Sequence, residues 1–212
     1  MSIGPAVRRS LGRFETPAAE AYRRLFFSVD HFASLTRVVA PNAKTVLEIG
    51  CGDGSVADRI IGIYPDATYV GIDIAPEPGR RFTGDRRRAS FRSMLSSQLR
   101  ATDPEPFDLV LVVDVLHHVP ADSERAELLA DAAAMTGSGG TVLVKEWERK
   151  YSLSYAAGWA SDRYISGDRQ VRYMDRDELR AIIAQGASQL EPVGVTTVRP
   201  WPCTVVHVLR AN

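Results

Sequence analysis

Three glycines spaced two residues apart follow directly on an apolar run, and this segment constrains the fold more than any other. The run Val46-Leu47-Glu48-Ile49 is typical of a buried strand, Gly50, Gly52 and Gly54 come next, and residues 55–63 have helical periodicity. Glycine permits positive φ angles and lets a ligand approach the backbone closely. A helix that begins there offers free amides to a negative group. The segment predicts a strand, a ligand-binding loop and a helix, with a tight turn of no further function as the alternative.

Short β-rich runs alternate with helical patterns along the chain, as expected of parallel strands joined by crossover helices. The predicted strands cover residues 45–49, 68–73, 89–93, 107–113 and 141–147, and the predicted helices cover residues 17–39, 55–63, 123–135, 151–165 and 175–185. Two further strands, 189–197 and 204–209, are joined by a connection too short for a parallel pair, so they predict an antiparallel hairpin. Near-continuous apolar strands indicate helices on both faces of the sheet.

Length and charge limit the domain organisation and the partners. The chain has 212 residues, 45% of them hydrophobic, which is enough for one substantial core. We expect a single domain over residues 1–212, with an N-terminal helical cap over 1–42 and a helical substrate-cover insertion over 148–186. Lys plus Arg and Asp plus Glu both number 26, so the formal net charge is zero. This balance argues against a nucleic-acid partner.

The cysteines and the hydropathy pattern favour a cytoplasmic protein. Cys51 and Cys203 are too few for a disulfide framework and do not have the spacing of a zinc site. No stretch approaches the roughly 18 apolar residues of a membrane span. We therefore expect no membrane association, and the sequence leaves a monomer or a homodimer open.

An acidic residue at the end of the second strand points to a nucleoside. Asp73 closes the run Val70-Gly71-Ile72. A carboxylate there can accept hydrogen bonds from both ribose hydroxyls, and nicotinamide dinucleotide sites share this feature. Capping of a following helix is the structural alternative for Asp73. For Glu48, a structural role in fixing the glycine loop and a direct ligand contact are equally open.

Four segments in chain order resemble the motifs of class I S-adenosylmethionine (SAM)-dependent methyltransferases. They are VLEIGCGDG, VGIDI, FDLVLVVDVLHHVP and GSGGTVLVKEW, within residues 44–147. The resemblance implies a Rossmann-like α/β fold, with a seven-stranded, mostly parallel sheet whose last strand is antiparallel. It also implies SAM as cofactor and S-adenosylhomocysteine (SAH) as product. The cofactor-binding residues it implies are Glu48, Gly50, Cys51, Gly52, Gly54, Asp73, Ile74, Met94 and Asp114.

The chain departs from the family after the third strand. Many members carry an acidic residue there that bonds the adenine amino group, whereas this chain has Phe91-Arg92-Ser93-Met94-Leu95. Met94 is expected to pack on the adenine face without bonding its edge. Backbone groups or water are the expected source of that bond.

The reacting groups are expected at the carboxyl ends of the strands, where open α/β sheets bind their ligands. His117 is the predicted general base, because a neutral imidazole accepts protons at cellular pH. A structural role for His117, as a hydrogen-bond partner of a backbone carbonyl, is equally open. Glu146 is the second catalytic candidate, and His118 is expected to turn away into structure. Adjacent histidines on one short turn rarely converge on an ion, so no metal is predicted.

Three aromatic residues in the predicted helix after the fifth strand are candidates for substrate binding. Tyr151, Tyr155 and Trp159 are four residues apart, a spacing that favours one helix face. Packing of this stripe into the core is the structural alternative. The predicted activity is methyl transfer from SAM to a small molecule, with oxygen favoured as the acceptor atom over nitrogen or carbon. The alternatives are an NAD(P)-dependent oxidoreductase and a SAM-binding protein without transfer activity.

Overall fold

The computed structural model describes residues 27–149 and 170–212. Its helices are α1 (Val29–Val39), α2 (Ser55–Ile63), α3 (Ser96–Arg100), α4 (Asp122–Ala134) and α5 (Arg176–Gly186). Its strands are β1 (Thr45–Ile49), β2 (Thr68–Asp73), β3 (Ala89–Ser93), β4 (Phe107–Val113), β5 (Thr136–Trp147), β6 (Leu190–Thr197) and β7 (Thr204–Ala211). A 3₁₀ turn, Leu116–His118, follows β4. No helix of the described residues is both long and apolar enough to cross a membrane.

The seven strands form one sheet in the order β3-β2-β1-β4-β5-β7-β6. The first five strands are parallel to one another, and β7 runs antiparallel to both β5 and β6. The predicted α/β class, the mostly parallel sheet and the antiparallel C-terminal hairpin are confirmed. Because β1 pairs with β2 on one side and β4 on the other, the strand order reverses beside β1, which creates a crevice at the carboxyl ends of these strands.

Helices cover both faces of the sheet, as the apolar strands predict. On one face, α1 and α2 pack against the sheet through a cluster that includes Phe32, Ile60 and Leu111. On the other face, α4 and α5 contribute Leu129 and Ile183 to a second cluster. The core is therefore split into two layers, and the carboxyl edge of the sheet stays open between them.

The structure differs from the predicted elements in four places. The predicted helix over 17–39 is wrong at Phe27 and Ser28: α1 begins at Val29, because the Ser28 side chain caps it by accepting a bond from the His31 amide. The glycine-rich residues 137–140, expected to precede the fifth strand, lie within β5, which begins at Thr136 and has a register irregularity there. The short helix α3 was not predicted. Helix α5 packs on the sheet beside α4, so residues 176–186 of the expected 148–186 cover belong to the core.

Candidate functional site

A cavity of about 860 Å³ opens at the carboxyl edge of the sheet, where the strand order reverses. The ends of β1, β2 and β4 contribute Gly50, Asp73 and Asp114 to its wall. Ile74 and Met94 also line it, so five of the residues expected to bind a cofactor surround one space. The cavity continues past Met94 between α3 and α4.

The glycine loop needs its small residues for packing as well as for access. Gly50 has a φ of +77°, and a Cβ there would lie 2.2 Å from a methyl carbon of Val115 in the loop after β4. A Cβ on Gly54 would lie 2.9 Å from the Gly79 backbone. At Gly52, in contrast, a Cβ would meet no protein atom within 4 Å. The loop is therefore packed tightly at both ends and open to solvent or ligand at its middle glycine.

Asp73 connects the end of β2 to this loop. Its carboxylate accepts a hydrogen bond from the Gly52 amide and another from the Ala75 amide, both at 2.8 Å. The helix-capping alternative is wrong, because residues 74–88 contain no helix. A carboxylate has about four lone-pair sites, so two amide bonds leave capacity for ribose hydroxyls.

Glu48 and Cys51 lie behind the loop and not in the cavity wall. The Glu48 carboxyl is buried and accepts a hydrogen bond from the Tyr69 hydroxyl. Burial raises the pKa of Glu48 to about 8. Burial likewise raises the pKa of the Cys51 thiol, which packs near Gly71 of β2. Both side chains therefore contact the strand next to the loop, and neither lines the cavity.

The two residues predicted to be catalytic form a buried pair. His117 Nδ1 lies 2.6 Å from Glu146 Oε2, and the side chains are 3% and 1% exposed. The other Glu146 oxygen accepts hydrogen bonds from the amides of Val115 and Leu116. Burial opposes ionisation of Glu146, but His117 and the Leu116 amide hold the net pKa of this carboxyl below its usual value. The pair therefore fixes the turn that follows β4.

His118 occupies the position that the sequence led us to expect for its neighbour. It is exposed and lines the cavity, whereas His117 is 2% exposed, stacks on Tyr173 at 5.0 Å and is not among the lining residues. The expectation that His118 turns into structure is wrong. In the 3₁₀ turn, the His118 side chain faces the cavity and the His117 side chain is buried in the protein. The sequence pattern does not specify which of the two histidines faces the cavity.

Lys145 is a buried cation that sequence reasoning passed over. Its ammonium lies 2.5 Å from both oxygens of Asp114, which adopts a positive φ of 56°. The ring centroids of Phe27 and Trp147 lie 4.3 and 5.6 Å from the same nitrogen. A fully buried charge needs a partner of this kind, because an unpaired one is costly. Lys145 therefore holds the Asp114 side chain at the cavity wall.

Asp114, His117 and Glu146 bring metal-ligand atoms within 4.8 Å of one another. The existing contacts of this cluster compete with an ion. Lys145 already contacts both Asp114 oxygens, and the Glu146 oxygens bond two amides and the His117 ring. This donor set fits a network of protein hydrogen bonds better than a divalent cation, and the expected absence of a metal stays a prediction.

Some sequence expectations lie outside the described residues. Tyr151, Tyr155 and Trp159 fall in the range 150–169, and most of the 1–42 cap falls in residues 1–26. Conversely, Ser96, Arg100 and Asp131 line the cavity and were not predicted. A signal for Asp131 was available: Glu124, Leu128 and Asp131 recur at steps of four and three, which places them on one helix face.

Comparison with known proteins identifies the family. The methyltransferase domain family matches residues 19–186. The chain belongs to the class I SAM-dependent methyltransferases. The family's cofactor is SAM, and this membership decides against the oxidoreductase alternative, whose glycine loop and acidic residue look alike in sequence.

Relatives of this methyltransferase support the assignment. The ubiquinone biosynthesis O-methyltransferase of Xanthomonas campestris pv. campestris (strain B100) is 25% identical over 175 residues, which cover 78% of this chain and 70% of that protein. The structure of the 1,6-didemethyltoxoflavin-N1-methyltransferase of Burkholderia thailandensis, with bound 1,6-didemethyltoxoflavin and SAH, is similar at a TM-score of 0.66 and 18% identity, over 97% of this chain and 87% of that one.

The SAM-dependent methyltransferase SibL, in its apo form, is similar at a TM-score of 0.71 and 18% identity, over 95% of this chain. These likenesses confirm the Rossmann-like fold. This chain spans 58% of the length of SibL. It spans 60% and 66% of the lengths of two further proteins of similar structure.

Proposed function

We propose that this methyltransferase transfers a methyl group from SAM to an oxygen atom of a small-molecule acceptor. The observation that carries the proposal is the cavity at the strand-order reversal, with the open glycine loop on one side and Asp73 tied to that loop on the other. The resemblance to an O-methyltransferase at 25% identity supports oxygen as the acceptor atom.

The residues present fit the cofactor. The cavity offers the Asp73 carboxylate for a ribose and the apolar side chains of Ile74 and Met94 for a flat ring. The Gly52 backbone, whose amide bonds Asp73, is unobstructed. Asp114 adds a carboxylate beside Gly50, where the positive amino group of the methionine end can bind. When bound, SAM supplies an electrophilic methyl group on a sulfonium.

Two functions fall to the protein during transfer: alignment of the acceptor and removal of its proton. Alignment alone can lower a barrier by about 7–11 kcal/mol, and a general base adds about 10²–10⁴-fold. We assign proton removal to His118, which lines the cavity. His117 and Glu146, the first candidates, are assigned the positioning of the turn that carries His118 and Asp114.

The proposed acceptor side is the part of the carboxyl edge near β5. Phe27 and Trp147 lie there around the Lys145 ammonium. The proposed cover consists of residues 1–42 and the part of 148–186 before α5, with Tyr151, Tyr155 and Trp159 as substrate-binding residues. We further propose action in the cytoplasm as a monomer or homodimer, without nucleic-acid or membrane partners, in line with the zero net charge.

The test is a transfer assay with methyl-tritiated SAM and a panel of phenols, catechols and aliphatic alcohols. Label in an organic extract, lost when SAH is added in excess, supports the proposal. Label found only on amine acceptors in a parallel panel contradicts oxygen as the acceptor atom. Binding of SAM with no labelled product in any panel favours a binding protein without transfer activity.

A further inference from the structure

The far end of the cavity contains a polar cluster contributed by α3 and α4. The Ser96 hydroxyl donates a hydrogen bond to Asp131 Oδ2 at 2.7 Å. Arg100 Nε lies 2.9 Å from the other oxygen, Asp131 Oδ1. All three residues line the cavity, beyond Met94. The cluster thus lies next to the position where the family has its adenine-binding acidic residue and this chain has none.

The Asp131 side chain is 7% exposed, so the carboxylate is buried in the cavity wall. Its two protein partners use only part of its capacity, because an ionised carboxylate has about four acceptor sites. A buried carboxylate is expensive unless its lone pairs are satisfied. An additional donor from a ligand in the cavity is therefore favourable at this position.

The hydrogen-bonding pattern of the cluster is specific. Ser96 gives its only hydroxyl proton to Asp131, so its remaining lone pairs can only accept. The Asp131 oxygens also only accept, and the Arg100 guanidinium only donates. The cluster therefore offers acceptors next to a donor. Adenine presents an amino donor next to ring-nitrogen acceptors, which is the complement of this pattern.

Backbone groups near Met94 are the alternative partners for the adenine ring, and one of them is already used within the protein. The amide of Leu95, directly after Met94, donates to the Gln98 side chain at 2.8 Å. That donor is already used within the protein. The polar side chains at the end of the cavity are further groups that can bond the adenine edge.

We propose that Asp131, together with Ser96 and Arg100, binds the edge of the adenine ring and selects an adenosyl cofactor in this protein. The carboxylate that many family members place after β3 is supplied here by α4. The inference rests on the proposed function, because it assumes that the cavity binds SAM.

The test compares the binding of SAH and S-inosylhomocysteine, measured by calorimetry on the full chain. The inosyl compound has a keto oxygen and a ring N–H, the reverse of the adenine pattern. Hydrogen bonds to charged groups contribute more binding free energy than hydrogen bonds between neutral groups. We therefore expect SAH to bind at least about tenfold more tightly than the inosyl compound. In Asp131→Asn this ratio is expected to fall towards one, mainly through weaker SAH binding.

Two further variants separate an effect on ligand binding from an effect on folding. Arg100→Gln changes a side chain that is 54% exposed, and it is expected to lower the same ratio without unfolding the protein. Glu124→Gln, on the same face of α4 but in its first turn, is the matched control and is expected to leave the ratio unchanged.

The outcomes separate this inference from the proposed function. Tight SAH binding with a wild-type ratio in both Asp131→Asn and Arg100→Gln overturns the adenine assignment alone. Equal binding of the two compounds by the wild-type protein overturns it as well. No binding of SAH by the wild-type protein overturns the proposed function and this inference together.

Discussion

The Asp73 carboxylate accepts a hydrogen bond from the Gly52 amide at 2.8 Å. This bond joins the end of β2 to the glycine loop that follows β1. Parallel pairing of Ile49 with Ile72 brings the two segments side by side. Asp73, the proposed ribose-binding acid, and the backbone of the glycine loop are therefore fixed relative to each other before any ligand binds. A preformed site of this kind reduces the ordering cost of binding.

The glycine loop gives the first prediction. Gly50→Ala is expected to destabilise the protein by about 2–4 kcal/mol, from the positive φ and from collision with Val115. Urea denaturation measures the loss. Gly62→Ala in α2 is the control: its Cβ meets nothing within 4 Å, so it should be neutral or slightly stabilising. Equal stability of the two variants would contradict the packing argument.

Much of the fold could be predicted because it depends on local patterns. The bounds of β1 to β4 and α2 follow from apolar runs and glycine positions, and the hairpin follows from a connection too short for parallel strands. Helix α3 could not be predicted, because its five residues are too few to show a helical period of apolar residues. The early start of β5 could not be predicted either, because residues 137–140 carry a glycine pattern typical of a helix end.

The lining of the cavity could be predicted where the backbone determines it, but not where the direction of a side chain determines it. Gly50, Asp73, Met94 and Asp114 follow from strand ends, and the structure places all four at one cavity. The exchange between His117 and His118 depends on the twist of one 3₁₀ turn. Asp131 comes from a helix far along the chain, and its proximity to Ser96 is a tertiary contact that no local period encodes.

The second prediction concerns Glu48 and pH. Its pKa is raised by burial to about 8 in the folded protein, from 4.5, so the folded state keeps a proton that the unfolded state releases. Stability contributed by this proton is complete below pH 4.5 and is lost as the pH rises through 8. Relative to Glu48→Gln, the wild-type protein should lose about 2 kcal/mol of unfolding free energy between pH 6 and 8.

Denaturation of both proteins at a series of pH values measures this difference. Glu191→Gln on the exposed strand β6 is the control and should follow the wild-type curve. Parallel curves for the wild type and Glu48→Gln would show that Glu48 is ionised in the folded protein.

The third prediction separates the two histidines. His118→Gln should lower kcat by about 10²-fold or more and remove the limb of the pH–rate profile that belongs to the base, with little change in stability. His117→Gln should lower the melting temperature, because it removes a buried partner of Glu146, and should retain that limb. If the limb is lost only in His117→Gln, the general base is His117 and not His118.

The fourth prediction concerns metal removal. Dialysis against EDTA should leave the methyl-transfer rate unchanged, since the Lys145 ammonium occupies the side of Asp114 that an ion would need. Lys145→Met removes this cation, so the variant should gain measurable Zn²⁺ binding relative to the wild type. A wild-type rate that falls with EDTA and returns with Mg²⁺ or Zn²⁺ would contradict this account of the cluster.

The most direct measurement for the central claim is calorimetry of SAH binding to the wild-type protein and to Asp73→Ala, with NAD as the competing nucleotide. The account predicts that the wild-type protein binds SAH, that Asp73→Ala binds it at least about tenfold more weakly through loss of bonds to a charged group, and that NAD gives no heat. Equal SAH affinity in the two proteins, or binding of NAD and not SAH, would contradict it.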